Sequence, residues 1–168
     1  MHVSLCREGA NYYWYHRTIV NFENWASCSY DKSSWAPRGP FPPPPPGWEL
    51  LKTLYYQEPY LPDGGSTFVI PMAIVLKRDS MLIVLFRGMH TPHEWTLDVS
   101  FQYTNFEGMK THSGFTTVAD FLFRSLTSVL LGEVVYGRIT SVALAGHSFG
   151  AGVAAILAPF VQVYICLV

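Results

Sequence analysis

A chain of 168 residues with 49% hydrophobic and 15% aromatic content can build one domain with its own core, which excludes disorder throughout. Its 11 Lys plus Arg stand against 12 Asp plus Glu, with no basic block to neutralise a run of phosphates, so nucleic acid is not an expected partner. Cys6, Cys28 and Cys166 match neither zinc nor redox spacing and read as free thiols; a Cys6 to Cys28 bridge is the alternative in a secreted protein.

The opening MHVSLCREGANYY lacks the basic segment and apolar run of a signal peptide. An intracellular location is therefore expected unless the amino terminus lies further upstream, and the compartment is left open. Residues 1–35 are rich in Tyr and Trp without a clean period, and read as an aromatic segment that packs its rings on the main domain.

Residues 36–48, APRGPFPPPPPGW, form a proline-rich linker in which Pro42 to Pro46 lack backbone donors and have a fixed φ. A polyproline II rod of about 3.1 Å per residue is expected there. A single run of this kind reads first as a stiff spacer and second as a ligand for an SH3 or WW domain.

The remaining span, 49–168, carries α/β patterning. TFVIPMAIVL and MLIVLF, joined by KRDS, predict two adjacent strands, and Pro71 predicts an edge or a bulge in the first. After Gly114, Val118, Phe121, Leu122, Leu126, Val129 and Leu130 recur at helical spacing, with Gly132 as the expected stop. ITSVALAG predicts a strand that runs into Gly146, His147, Ser148, Phe149 and Gly150, and Ala151 to Leu157 predict a small-residue helix leaving it.

Strand, G-x-S-x-G turn and helix occur in the order a nucleophile elbow requires. A serine hydroxyl is a weak nucleophile, so it needs a tight turn to present it, a base and donors for the oxyanion. Gly146 and Gly150 permit the close approach of strand and helix, and Phe149 offers the backbone N–H after the nucleophile, at the positive end of a helix dipole.

Four blocks, IVLFRG (83–88), EWTLDV (94–99), THSGF (111–115) and VALAGHSFGAG (142–152), together resemble the class 3, or fungal-type, triacylglycerol lipases. The resemblance implies an α/β-hydrolase-like, mostly parallel sheet with flanking helices, with only its amino-terminal portion present and the chain truncated after the elbow helix. It implies Ser148 as nucleophile, the N–H groups of Met89 and Phe149 as the oxyanion hole, and His147 packed beneath the turn. The stretch from His90 to Asp98, with Trp95, falls where the family carries a mobile lid. A Trp suits a lipid–water boundary, so contact with a membrane surface is expected, without a transmembrane span.

Two departures stand out. Met89 lacks the hydroxyl that the family usually has after its Arg-Gly pair, which removes support from the oxyanion hole and from the expected role of Asp98. The family's usual Leu-Gly-Gly-Ala is here Phe149, Gly150, Ala151 and Gly152, a conservative change in size.

The triad's acid and histidine should follow the serine, yet residues 151–168 contain no Asp, Glu or His. His147 diverges from Ser148, His112 reads as a structural histidine of the H-x-G-F block, and His90 and His93 lie in the expected lid. His90, His93 and Glu94 could suggest a metal, but Pro92 between the rings argues against it, and no metal or cofactor is expected. Pro159 and Gln162 predict a buried helix followed by another strand, whose edge would lie unpaired.

The expected function is hydrolysis of acylglycerol or related lipid esters through an acyl-serine intermediate, with this chain an incomplete, weakly active or inactive form. The alternatives are a non-catalytic lipase-like module that binds lipid or a polyproline-reading partner, and an enzyme whose acid and histidine come from another chain.

Overall fold

The computed structural model describes residues 2–5, 44–57, 69–89, 92–99 and 102–166, with side chains over 44–57, 70–89, 94–99 and 102–162. The ring-rich stretch, Cys6, Cys28, Pro42, Pro43 and His90 lie outside these residues, as do the side chains of His93 and Cys166.

Five strands form the central sheet in the order β1-β7-β4-β3-β2: β1 (His2–Leu5), β2 (Glu49–Gln57), β3 (Val69–Arg78), β4 (Met81–Phe86) and β7 (Ser141–Gly146). The sheet is mixed, which corrects the expected mostly parallel one. β1 with β7 and β4 with β7 run parallel, whereas β3 pairs antiparallel with both β2 and β4. The reason is the β2-β3-β4 meander, in which the two-residue β3–β4 connection permits only an antiparallel neighbour and β2 adds antiparallel on the far side of β3. On the other side, β1 occupies the edge of β7, with His2 opposite Ser141 and Leu5 opposite Leu144. The aromatic amino-terminal segment therefore contributes a strand where no strand period was read.

The β3–β4 hairpin turns through Asp79 and Ser80, and Asp79 takes φ 51° as a two-residue turn demands. β3 is internal, so Pro71 marks a bulge. The register with β2 steps from Leu54 opposite Ala73 to Tyr55 opposite Pro71, leaving Met72 as the extra residue.

A short helix α1 (Pro92–Asp98) follows β4, with Pro92 at its first position, where a missing N–H costs nothing. The hairpin β5 (Tyr103–Phe106) and β6 (Met109–His112) turns through Glu107 and Gly108, both at positive φ. Helix α2 (Ser113–Val135) and helix α3 (Phe149–Cys166) then flank β7 in sequence.

Gly132 does not stop α2. The helix runs on to Val135, and Gly137 at φ 65° ends it, with its N–H donated to Val134 and that of Arg138 to Glu133. These are the paired bonds of a Schellman cap. Phe121, expected on the buried face, is instead partly exposed and meets Tyr56 edge-on at 5.4 Å between centroids. Among the described residues no strand follows: α3 continues through Pro159 to Cys166. Among the described residues no helix is long and apolar enough to cross a membrane.

Both long helices lie on one face of the sheet, where Val118, Leu122, Leu126, Val153 and Leu157 meet Val84, Phe86, Val142 and Leu144. On the other face Ile74, Leu76, Ile83 and Leu85 are buried with Trp48, the last residue of the expected linker. Residues 44–46 lead into that tryptophan, whose N–H donates to the Pro45 carbonyl across a turn with Gly47 at φ 81°, and Arg78 stacks over its ring.

Candidate active site

β7 delivers the chain to the elbow and α3 takes it away. Ser148 sits between them at φ 49°, exposed, in the left-handed region that costs a non-glycine residue about 1–3 kcal/mol. The turn is closed by the Gly150 N–H on the His147 carbonyl and the Ala151 N–H on the Ser148 carbonyl, both at 2.9 Å. Tight closure of this kind turns the serine side chain outward.

Two glycines make the approach possible. A Cβ on Gly146 would overlap the Gly150 carbonyl, and one on Gly150 would overlap the Arg87 carbonyl and lie 2.8 Å from the Phe86 carbonyl carbon. The contacts are with backbone, which has nowhere to go. The elbow is thereby pressed against the end of β4, and the His147 N–H reinforces this by donating to the Phe86 carbonyl at 3.2 Å.

His147 is a correction. It is exposed and does not pack beneath the turn. Its N–H and its carbonyl both serve the turn, facing β4 and Gly150, and the side chain is left at the surface.

Support from below comes from aromatic rings. Phe149 is buried, Phe115 meets it edge-on at 5.0 Å, and His112 stacks on Phe115 at 4.4 Å. Gly152 is what admits Phe115, since a Cβ there would lie 2.6 Å from the ring. His112 is a packing residue of the H-x-G-F block, and Gly114 in the same block brings α2 onto the backbone of α1: its Cβ would overlap the Leu97 carbonyl.

The segment after β4 contains the group that the sequence reading passed over. Arg87 is 1% exposed and Glu94 0% exposed, and they form a two-pronged ion pair at 2.6 Å and 3.0 Å. The same guanidinium donates through Nε to the Pro71 carbonyl and through Nη1 to the Gly88 carbonyl, both at 2.6 Å. The Pro71 bulge in β3 supplies the first of these acceptors. Met89 lies between the paired charges in sequence, half-buried against the main core. On α1, Trp95 is 57% exposed and Asp98 is half-buried, while Glu94 points inward. Among the described residues no group of three His, Cys, Asp or Glu side chains gathers as a metal site would require.

A strand-elbow-helix unit on a mixed sheet with flanking helices is the α/β-hydrolase arrangement, and the comparisons agree. Three solved lipases share the fold: that of a fungal lipase–inhibitor complex described as a model for interfacial activation (17% identity, TM-score 0.54, covering 93% of this chain and 57% of that one); a triacylglycerol lipase described as having a serine protease triad as its catalytic centre (16%, 0.51, 88% and 55%); and the Rhizomucor miehei triacylglyceride lipase (16%, 0.51, 95% and 58%). This chain therefore spans less than two thirds of their length. No match is found among curated proteins. Residues 83–163 match the family model described as lipase (class 3), a segment that holds the end of β4, α1, the hairpin, α2, the elbow and most of α3. Over that segment the chain is similar to the class 3 lipases.

Proposed function

We propose that this chain carries the nucleophile and oxyanion side of a serine ester hydrolase for acylglycerols or related lipid esters. The observation that carries the reading is Ser148 at φ 49° between two glycines, Gly146 whose absent Cβ admits the Gly150 backbone and Gly150 whose absent Cβ admits the backbone of Phe86 and Arg87. Ser148 would attack the ester carbonyl, forming the acyl–oxygen bond and a tetrahedral oxyanion; collapse then releases the alcohol, and water hydrolyses the acyl-serine. The N–H groups of Met89 and Phe149 would stabilise the oxyanion, and Trp95 on α1 would face the lipid. The neighbours' printed descriptions as lipases and the family match support this substrate class.

Residues 149–168 hold no Asp, Glu or His that could activate Ser148. The 168-residue chain taken alone is therefore expected to turn over slowly, at roughly the 10³ to 10⁴ over water that remains without a triad.

Covalent labelling by a fluorophosphonate tests the reading. The expected result is slow labelling confined to Ser148, accelerated by added imidazole as an external base and absent in Ser148→Ala. A folded protein that gives no Ser148 adduct even with imidazole, or one that labels equally after Ser148→Ala, would sink it.

A further inference from the structure

The Arg87–Glu94 pair is more elaborate than packing requires. Burying two charges is costly, and an apolar pair of similar volume is often at least as stable. What an apolar pair does not do is bind two carbonyl oxygens at fixed angles, and Arg87 binds those of Pro71 and Gly88.

The Gly88 carbonyl belongs to the same peptide unit as the Met89 N–H. That unit is planar and trans, so its C=O and N–H point in opposite directions. Holding the Gly88 oxygen at 2.6 Å from Arg87 Nη1 fixes the direction of the Met89 N–H, away from the guanidinium. Met89 has no side-chain polar donor with which to fix its own backbone. Glycine at 88, by contrast, leaves the peptide free to rotate unless something holds it. The carboxylate of Glu94 anchors the far side of the guanidinium, and the Arg87 carbonyl abuts Gly150, so the held peptide stands beside the elbow.

We infer that Arg87, oriented by Glu94 and the Pro71 carbonyl, is the positioning residue that aims the Met89 N–H at the oxyanion. This rests on the Ser148 reading above. Neither residue touches the ester; both act through the Gly88–Met89 peptide.

Two variants test it in the full chain: Arg87→Met combined with Glu94→Leu, which removes both charges together, and Arg87→Lys, whose three N–H donors on one nitrogen cannot reproduce the four bonds that the guanidinium makes from three separate nitrogens. Arg87→Lys also provides the answer where the double variant does not fold. The first readout is the NMR order parameter of the Met89 amide, expected to fall from about 0.85 to below about 0.6 in a variant whose sheet amides keep their shifts. The second is fluorophosphonate labelling of Ser148 in imidazole. Its maximal rate should fall about 100-fold with the half-saturating probe concentration unchanged, as for a misaimed group. A folded variant with a rigid Met89 amide and the parent's labelling rate shows the pair to be packing alone and overturns the inference. If the parent itself gives no Ser148 adduct, the Ser148 reading has failed, and the oxyanion role fails with it; the Met89 order parameter then separately decides whether the pair holds the peptide.

Discussion

Between Gly146 and Gly150 main chain meets main chain, and the elbow is shaped by the absence of side chains. Between Phe86 and Asp98, a few residues away in space, the backbone is shaped by two of the most deeply buried charged side chains among the described residues. The two regions meet where the Arg87 carbonyl lies over Gly150. They should fail differently. A backbone contact has no slack, so any added carbon must separate the chains, whereas a side-chain tether can be cut while the chains stay in place.

Gly150→Ala is the largest test of that difference, because one methyl group collides with both regions at once. Its Cβ would overlap the Arg87 carbonyl and crowd Phe86, and neither can move without disturbing the β4–β7 pairing. A loss of about 4 kcal/mol or more is expected, at the upper end of single-residue effects. Urea unfolding with Ser148→Ala as the reference measures it. A midpoint equal to that of the reference would mean that elbow and strand are not in contact, and the contrast drawn here would collapse.

Gly114→Ala tests the far anchor of the second region alone. The added methyl would meet the Leu97 carbonyl and carbon, the latter at 2.6 Å, at the end of α1, a helix of 7 residues tied to Arg87 through Glu94. The helix can yield, so the cost should be about 1–3 kcal/mol, the range for overpacking. Hydrogen exchange should rise across residues 94–98 and stay unchanged in β3 and β4. Uniform loss of protection would show that α1 is not separable from the sheet.

The same contrast explains which parts were legible in the sequence. The elbow could be read because its physics is local: five consecutive residues, a strand before and a small-residue helix after. The β3–β4 hairpin and the apolar spacing of α2 were legible for the same reason. The Arg87–Glu94 pair was not. Its members are seven residues apart in a stretch with no period, and Glu94 drew notice as the start of EWTLDV and as a neighbour of His93, not as a partner of Arg87. The pairing of β1 with β7 brings His2 beside Ser141, and no local pattern announces a parallel partner so distant in sequence. His147 was misplaced because a family role was carried to a side chain whose own backbone bonds leave it outside.

Gly132 and Gly137 in the last turns of α2 give the smallest test and isolate what a glycine does when nothing approaches it. Gly132 is the stop expected from the sequence, whereas the structure ends the helix at Gly137, and the two differ in dihedral angle. Gly132 lies within the helix with open space where its missing Cβ would point, whereas Gly137 takes φ 65° and closes the cap. Gly132→Ala should therefore stabilise the protein by about 0.5–1 kcal/mol, since alanine removes unfolded-state freedom without a collision. Gly137→Ala should cost about 1–2 kcal/mol, because its side chain must enter the left-handed region. Thermal unfolding of the pair measures the two signs. Equal signs would mean that α2 ends at Gly132 in solution, leaving Lys77 without the helical Glu133 that it meets at 2.6 Å. Opposite signs would establish that the damage expected at Gly150 and Gly114 comes from their neighbours and not from the loss of glycine itself.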